Sequence, residues 1–69
     1  MDIDEVNAKI AVHTESVKEL EALRDSLENN EFESIEDFMV KFEEVAGRER
    51  TAREDMLSAL DELQKDIGQ

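Results

Sequence analysis

The sequence predicts an all-α fold: an antiparallel two-helix hairpin that completes a four-helix bundle by dimerising. Two observations lead to this fold class. Apolar residues recur every three to four positions over two long stretches, which is the spacing of an amphipathic helix. A short polar segment around Asn29-Asn30 separates the two stretches. We therefore expect one helical-hairpin domain over residues 1–69.

The first predicted helix covers about residues 3–29. It starts at Asp2 or Asp4, where a carboxylate suits the positive end of the helix dipole. Asn29-Asn30 is the expected stop, because asparagine tolerates the left-handed conformation in which many helices end. The apolar stripe has heptad spacing through Ile3, Val6, Ile10, His13, Val17, Leu20, Arg24 and Leu27.

The second predicted helix covers about residues 35–67, after a turn at about 30–34. Ser34 followed by Asp37 has the spacing of a capping box, with aspartate in place of the usual glutamate. Gly47 costs about 1 kcal/mol relative to alanine in a helix interior. The apolar pattern continues on both sides of it, so we expect a continuous helix, with a kink or close packing at Gly47 as alternatives. The stripe consists of Ile35, Phe38, Phe42, Val45, Ala52, Met56, Ala59 and Leu63.

A hairpin of two such helices would leave much of both stripes in water, which predicts a protein partner. The partner is either a second copy of the chain, giving a homodimer, or a larger helical or basic protein. We interpret the protein as a non-catalytic assembly or regulatory module. The predicted protein-binding seam consists of Ile10, Val17, Leu20, Leu27, Phe38, Phe42, Val45, Met56, Leu60 and Leu63.

Composition excludes several other function classes. The formal net charge of −12 argues against direct binding to nucleic acid or anionic lipid, because phosphate contacts need lysine and arginine. No apolar run is long enough to span a bilayer and no signal peptide is visible, so we expect a soluble, cytoplasmic protein. The absence of cysteine excludes disulfides and thiolate metal sites.

No group of residues predicts an enzyme, a cofactor, a metal or a small-molecule substrate. His13 is the only histidine and lacks the partners of a metal site or a nucleophile and base pair, so we interpret it as a packed or edge residue. The segment 25–36 matches calcium-loop spacing in part, but Leu27 stands at a ligand position and Asn30 replaces the turn glycine. An arginine cluster is expected to form ion pairs along the second helix; it comprises Arg48, Arg50 and Arg53, with Glu44, Glu49 and Glu54 as partners.

Carboxylates crowd the predicted turn, and this acidic tip gives a second functional hypothesis. Along a rod of about 45 Å, the carboxylates of the chain average about one per 2.3 Å, close to the roughly one charge per 1.7 Å of duplex DNA. The alternative function is therefore a DNA-mimic inhibitor, of the kind that phages encode, of a nucleic-acid-binding host protein. The acidic tip consists of Glu28, Glu31, Glu33, Glu36, Asp37, Glu43 and Glu44.

Several short motifs lie between Leu20 and Leu63. They are Leu27-Glu28-Asn29-Asn30, Ile35-Glu36 and Phe42-Glu43-Glu44, with Met56 and Ala59 continuing the apolar register. This stretch resembles the small subunit of bacterial exonuclease VII, although Asn30 and Val45 stand where that family has glycines and one residue is inserted before Ile35. The resemblance implies a non-catalytic helical hairpin that packs on the long helical region of a nuclease large subunit.

Overall fold

A computed structural model describes residues 2–68, which form two helices joined by a short turn. The helices are α1, Ile3–Glu28, and α2, Ile35–Ile67, and they pack against each other as a hairpin. This confirms the predicted all-α hairpin, while dimerisation stays a prediction. Helix α1 ends one residue earlier than expected. Within the described residues, no helix is long and apolar enough to cross a membrane.

Local side-chain chemistry fixes the helix ends. The Asp2 carboxylate accepts a hydrogen bond from the backbone N–H of Glu5 at 2.8 Å, and the Ser34 hydroxyl accepts one from the N–H of Asp37 at 3.1 Å. Each bond satisfies a donor that has no partner within its helix. After α1, Asn30 adopts a φ of 56°, the left-handed conformation expected of asparagine at a helix stop. The predicted start and stop signals are therefore confirmed.

Helix α2 continues through Gly47 without a break. A Cβ atom added at this glycine would find no heavy atom within 4 Å. The expectation of a continuous helix is therefore confirmed, and close packing does not explain the glycine.

The core between the helices is thin. Its buried apolar members are Val6, Leu23, Val45, Ala52 and Ala59. Two of these five are alanines, so little apolar volume is removed from water. The prediction that Arg24 lies in the α1 stripe is wrong, because Arg24 is exposed and the preceding Leu23 is buried. A straight helix has 3.6 residues per turn and drifts away from a strict heptad register.

The hairpin is a single elongated layer. Its Cα extents are 54 × 15 × 13 Å and its radius of gyration is 15.8 Å, compared with about 11 Å for a compact domain of this length. A layer of two helices has no second layer to cover either of its broad faces. Both broad faces of the hairpin are therefore candidate binding surfaces.

Candidate protein-binding surface

One broad side of the hairpin, which we call the groove face, carries a shallow groove of about 680 Å³ between the helices. Small residues line it, among them Ser16, Gly47 and Ala52. An ion pair bridges the helices on this side, with Arg48 Nη2 at 2.7 Å from Glu19 Oε2. Both of these side chains are about half exposed. The groove face thus carries charged side chains that are open to water.

The interface between the helices contains a polar pair near its middle. His13 Nε2 lies 2.9 Å from Glu49 Oε2, and the two side chains are only 21% and 15% exposed. Arg53 Nε lies 3.8 Å from the same oxygen. Glu49 stands four residues after the buried Val45 and three before the buried Ala52, so it occupies a position of the α2 stripe. A carboxylate there needs partners, since an unpaired buried charge is strongly unfavourable.

The side of α2 opposite the groove face carries a second heptad pattern, which we call the outer seam. Its positions alternate in spacing between four and three residues, as in the a and d positions of a coiled coil. All but two are apolar, and the two charged residues lie in the middle. The outer seam consists of Ile35, Met39, Phe42, Ala46, Glu49, Arg53, Met56, Leu60, Leu63 and Ile67.

Much of the outer seam is uncovered in the hairpin. Ile35 is 60% exposed, Met39 53% and Ile67 73%. Single exposed apolar side chains are ordinary on protein surfaces, but a row of them at heptad spacing forms a surface that a helix can pack against. Ile3, Ile10 and Val17 of α1 share one face of that helix because they recur every seven residues. None of them lines the groove, so they fall on the side of the outer seam.

Acidic residues avoid the outer seam. Helix α2 contains ten of them, yet Glu49 is the only one in the outer seam, where Arg53 balances it. The others lie on the groove face and on the outward edge of the helix. In a chain with a formal net charge of −12, this uneven distribution leaves one nearly neutral, apolar strip.

The accessible area measures how much surface the hairpin leaves uncovered. The chain exposes 5244 Å², whereas a compact monomer of its mass would expose roughly 4,400 Å². The excess of about 800 Å² is the area that each partner typically buries in a specific protein interface. Burying one broad face would restore an ordinary ratio of surface to mass.

The structure divides the predicted protein-binding seam into three groups. Val45 is buried between the helices. Five members are half-buried: Val17, Leu20, Phe38, Met56 and Leu63. Four are exposed: Ile10, Leu27, Phe42 and Leu60. The predicted seam therefore mixes residues that hold the hairpin together with residues that remain available on its surface.

All seven residues of the predicted acidic tip are exposed. Within residues 2–68, only Glu44 of this set forms an ion pair, with Lys41 at 3.8 Å and with Arg48 at 3.5 Å. Beside the turn, the rings of Phe32 and Phe38 meet edge to face with centroids 5.3 Å apart. The acidic tip is thus a solvated surface next to a small aromatic cluster.

The sequence reasoning missed the position of Glu49 and the extent of the outer seam. The signal was present, because Phe42, Glu49 and Met56 are spaced by seven residues. The expected helical ion pairs of Arg48 with Glu44 and of Arg53 with Glu49 are present. Arg50 forms no ion pair within the part of the chain that the structure describes.

Residues 2–68 contain no group of three or more histidine, cysteine or acidic side chains that could hold a metal ion. Comparison with protein-family models, with curated proteins and with solved structures finds no match for this chain.

Proposed function

We propose that this protein is a non-catalytic interaction module that binds a helical protein through the outer seam. The observation that carries the proposal is a partly exposed row of apolar side chains at heptad spacing, in which an otherwise acidic helix places only one carboxylate, Glu49. Such a row accepts the side chains of a facing helix as knobs in holes. A helix is therefore the partner element that fits best.

Two kinds of partner satisfy this requirement. One is a second copy of the chain, which would give a four-helix bundle. The other is a larger helical protein, and the resemblance to the exonuclease VII small subunit suggests a nuclease large subunit as one example. Both partners would use the same face, so a test of the face does not require the partner to be known.

Two neighbouring residues of α2 provide that test. Met39 belongs to the outer seam, whereas Val40 points to the other side of the helix and is 70% exposed. We expect Met39→Asp to remove the protein from its complex, because a charge in an apolar interface is costly. Val40→Asp is the matched control and should leave the complex intact. Aspartate at the half-buried Leu20 or Met56 would disturb the hairpin itself, so Met39 is the better probe.

The measurement is the elution volume of the tagged protein on gel filtration of extracts from its natural host. Helicity by circular dichroism checks that both variants fold. Equal elution of the two variants, both still in a large complex, would count against the outer seam as the binding surface.

A DNA-mimic inhibitor is the second candidate function. Its supporting observation is that six of the seven carboxylates of the acidic tip are exposed without an ion pair among residues 2–68. Charge reversal at Glu33, Glu36 and Asp37 should then abolish partner binding. The fold should survive, because the Ser34 cap bonds the backbone of Asp37 rather than its side chain.

Salt separates the two candidates independently. Binding by DNA mimicry should weaken steeply as salt rises through about 0.1 M, where exposed charges more than about 10 Å apart are screened. Binding through the outer seam should persist over that range. Loss of binding in the charge-reversed variant, together with intact binding by Met39→Asp, would favour the mimic.

A further inference from the structure

We infer that the occupant of the outer seam is a second copy of this chain, with the two α2 helices packed antiparallel about a two-fold axis level with Thr51. The inference rests on the proposed function and names its partner. It comes from the order of residues along the outer seam. When two copies of the seam run in opposite directions, apolar residues face apolar residues and opposite charges face each other.

The apolar positions match under this arrangement. Each residue faces the one that lies equally far from Thr51 on the other side. Ile35 faces the partner's Ile67, and Phe42 faces the partner's Leu60. Because the spacing alternates between four and three residues, all ten positions form a-to-d layers, the layers of an antiparallel coiled coil.

The charged positions match as well. Glu49 faces the partner's Arg53, and Arg53 faces the partner's Glu49. The only charges in the outer seam thus form two opposite-charge pairs around the axis. Each pair extends a cluster already present in the hairpin, where Arg53 lies 3.8 Å from Glu49 and His13 lies 2.9 Å from it.

Other arrangements leave these charges unmatched. Parallel packing would place Glu49 against the partner's Glu49 and bring two copies of Arg53 together. A shift by one heptad would place Glu49 against Leu60 or Ala46 of the other copy. Polar residues at a few core positions are known to specify register and orientation in this way, because alternatives bury unpaired charge.

Helix α1 supports the same axis independently. The contacts of His13 with Glu49 and of Glu19 with Arg48 place Thr51 level with the region of His13. Ile10 and Val17 lie on either side of that level, on the face of the outer seam. The two-fold axis that pairs the α2 helices would therefore also bring Ile10 against the partner's Val17.

Area and charge are compatible with self-association. The excess exposed surface of about 800 Å² matches the contribution of one partner to a standard interface. Two acidic copies repel each other, but the carboxylates other than Glu49 lie away from the outer seam of α2. Repulsion between the copies is therefore reduced along α2.

The absence of cysteine from the chain permits a direct test by disulfide cross-linking. Ile35→Cys and a size-tagged Ile67→Cys are mixed and oxidised with oxidised glutathione. Residues 35 and 67 of one helix are about 48 Å apart along the axis, so only a contact between copies can join them. Val40→Cys mixed with the same Ile67→Cys variant is the matched control.

We expect the Ile35→Cys and Ile67→Cys mixture to form the mixed disulfide faster than the control by on the order of a hundredfold at ~10 µM, because the effective concentration inside a complex is ~mM. Each variant alone should stay uncross-linked. Rapid cross-linking of Ile35→Cys with itself would show parallel packing and overturn the inference.

A wild-type protein that sediments as a monomer at micromolar concentration would overturn the inference too. Failure of the proposed function would give a different result, because Met39→Asp would then remain in its complex in host extract. If self-association alone fails, Met39→Asp still loses its complex.

Discussion

The groove face and the outer seam lie on opposite sides of α2 and meet their surroundings in different ways. On the groove face, Arg48 bridges to Glu19 and Glu44, and small residues leave an open groove. On the outer seam, apolar side chains are exposed and acidic residues are scarce. Nine of the ten acidic residues of α2 thus lie outside the outer seam, where we propose that a helix docks.

The two faces should also contribute differently to the free energy of folding and assembly. Exposed ion pairs contribute about 0–1 kcal/mol each, so the groove face adds little to stability. Burying apolar surface contributes roughly 25 cal/mol per Å², so covering the outer seam would stabilise the protein more than the ion pairs of the groove face do. Substitutions on the two faces therefore test this difference.

The largest effect is expected from Phe42→Ala in the outer seam. Phe42 is 46% exposed in the hairpin and stacks on Phe38 with ring centroids 5.8 Å apart. In the proposed dimer, which would cover its ring, the loss should reach about 3–5 kcal/mol of the free energy of unfolding. In a dilute monomer the loss should be smaller.

Melting temperatures of the wild type and the variant at several protein concentrations measure this difference. Val12→Ala on the groove face is the control, since Val12 is itself exposed. A loss of the same size at every concentration would mean that Phe42 serves only the hairpin.

The next effect concerns the charged centre of the outer seam. Arg53→Glu places a second carboxylate opposite the partner's Glu49, and we expect self-association to weaken about a hundredfold, equivalent to about 2.7 kcal/mol. Glu49→Arg should also fail alone, by repulsion from the partner's Arg53. A mixture of the two variants restores opposite charges at both pairs and should form a heterodimer.

Sedimentation of each variant and of the mixture provides the measurement. Arg48→Glu on the groove face is the control for a change of net charge. If the mixture stays as weak as the separate variants, Glu49 and Arg53 do not face each other across the axis.

The sequence was sufficient to predict the fold because its local signals agree. The Ser34 cap, the asparagine stop and the apolar spacing all act over a few residues, and each holds in the structure. The exposed position of Arg24 could not be predicted from local signals. Whether a heptad position faces the neighbouring helix depends on how far the straight helix has drifted, which is a tertiary property.

The candidate site was only partly predictable, for a related reason. Periodicity identified the exposed Phe42 of the outer seam, and also Met56 and Leu63, which belong to the outer seam and are half-buried against the hairpin. It gave Glu49 no role in the stripe, because a carboxylate in an apolar stripe makes sense only beside partners. His13 becomes such a partner only after the helices pack, whereas Arg53 lies four residues further along the same helix.

A smaller and opposite effect is expected from Gly47→Ala. A Cβ at this position meets no heavy atom within 4 Å, and alanine favours the helix interior over glycine by about 1 kcal/mol. The free energy of unfolding should therefore rise by about that amount, as measured by urea denaturation. Self-association should not change, because Gly47 lines the groove face. A variant that is more stable but dissociated would show instead that the groove face takes part in assembly.

The smallest effect is expected from the ion pair that bridges the groove face. Glu19 Oε2 and Arg48 Nη2 are 2.7 Å apart, but both side chains are about half exposed. Water and salt screen such a pair, and its members lose side-chain entropy when they hold one geometry. A double-mutant cycle of Glu19→Ala and Arg48→Ala should therefore give a coupling free energy of about 0.5 kcal/mol or less at ~0.15 M salt, with no change in self-association. A coupling several times larger, or one that persists at about 1 M salt, would mean that the groove face is covered in solution, and the contrast between the two faces would have to be reversed.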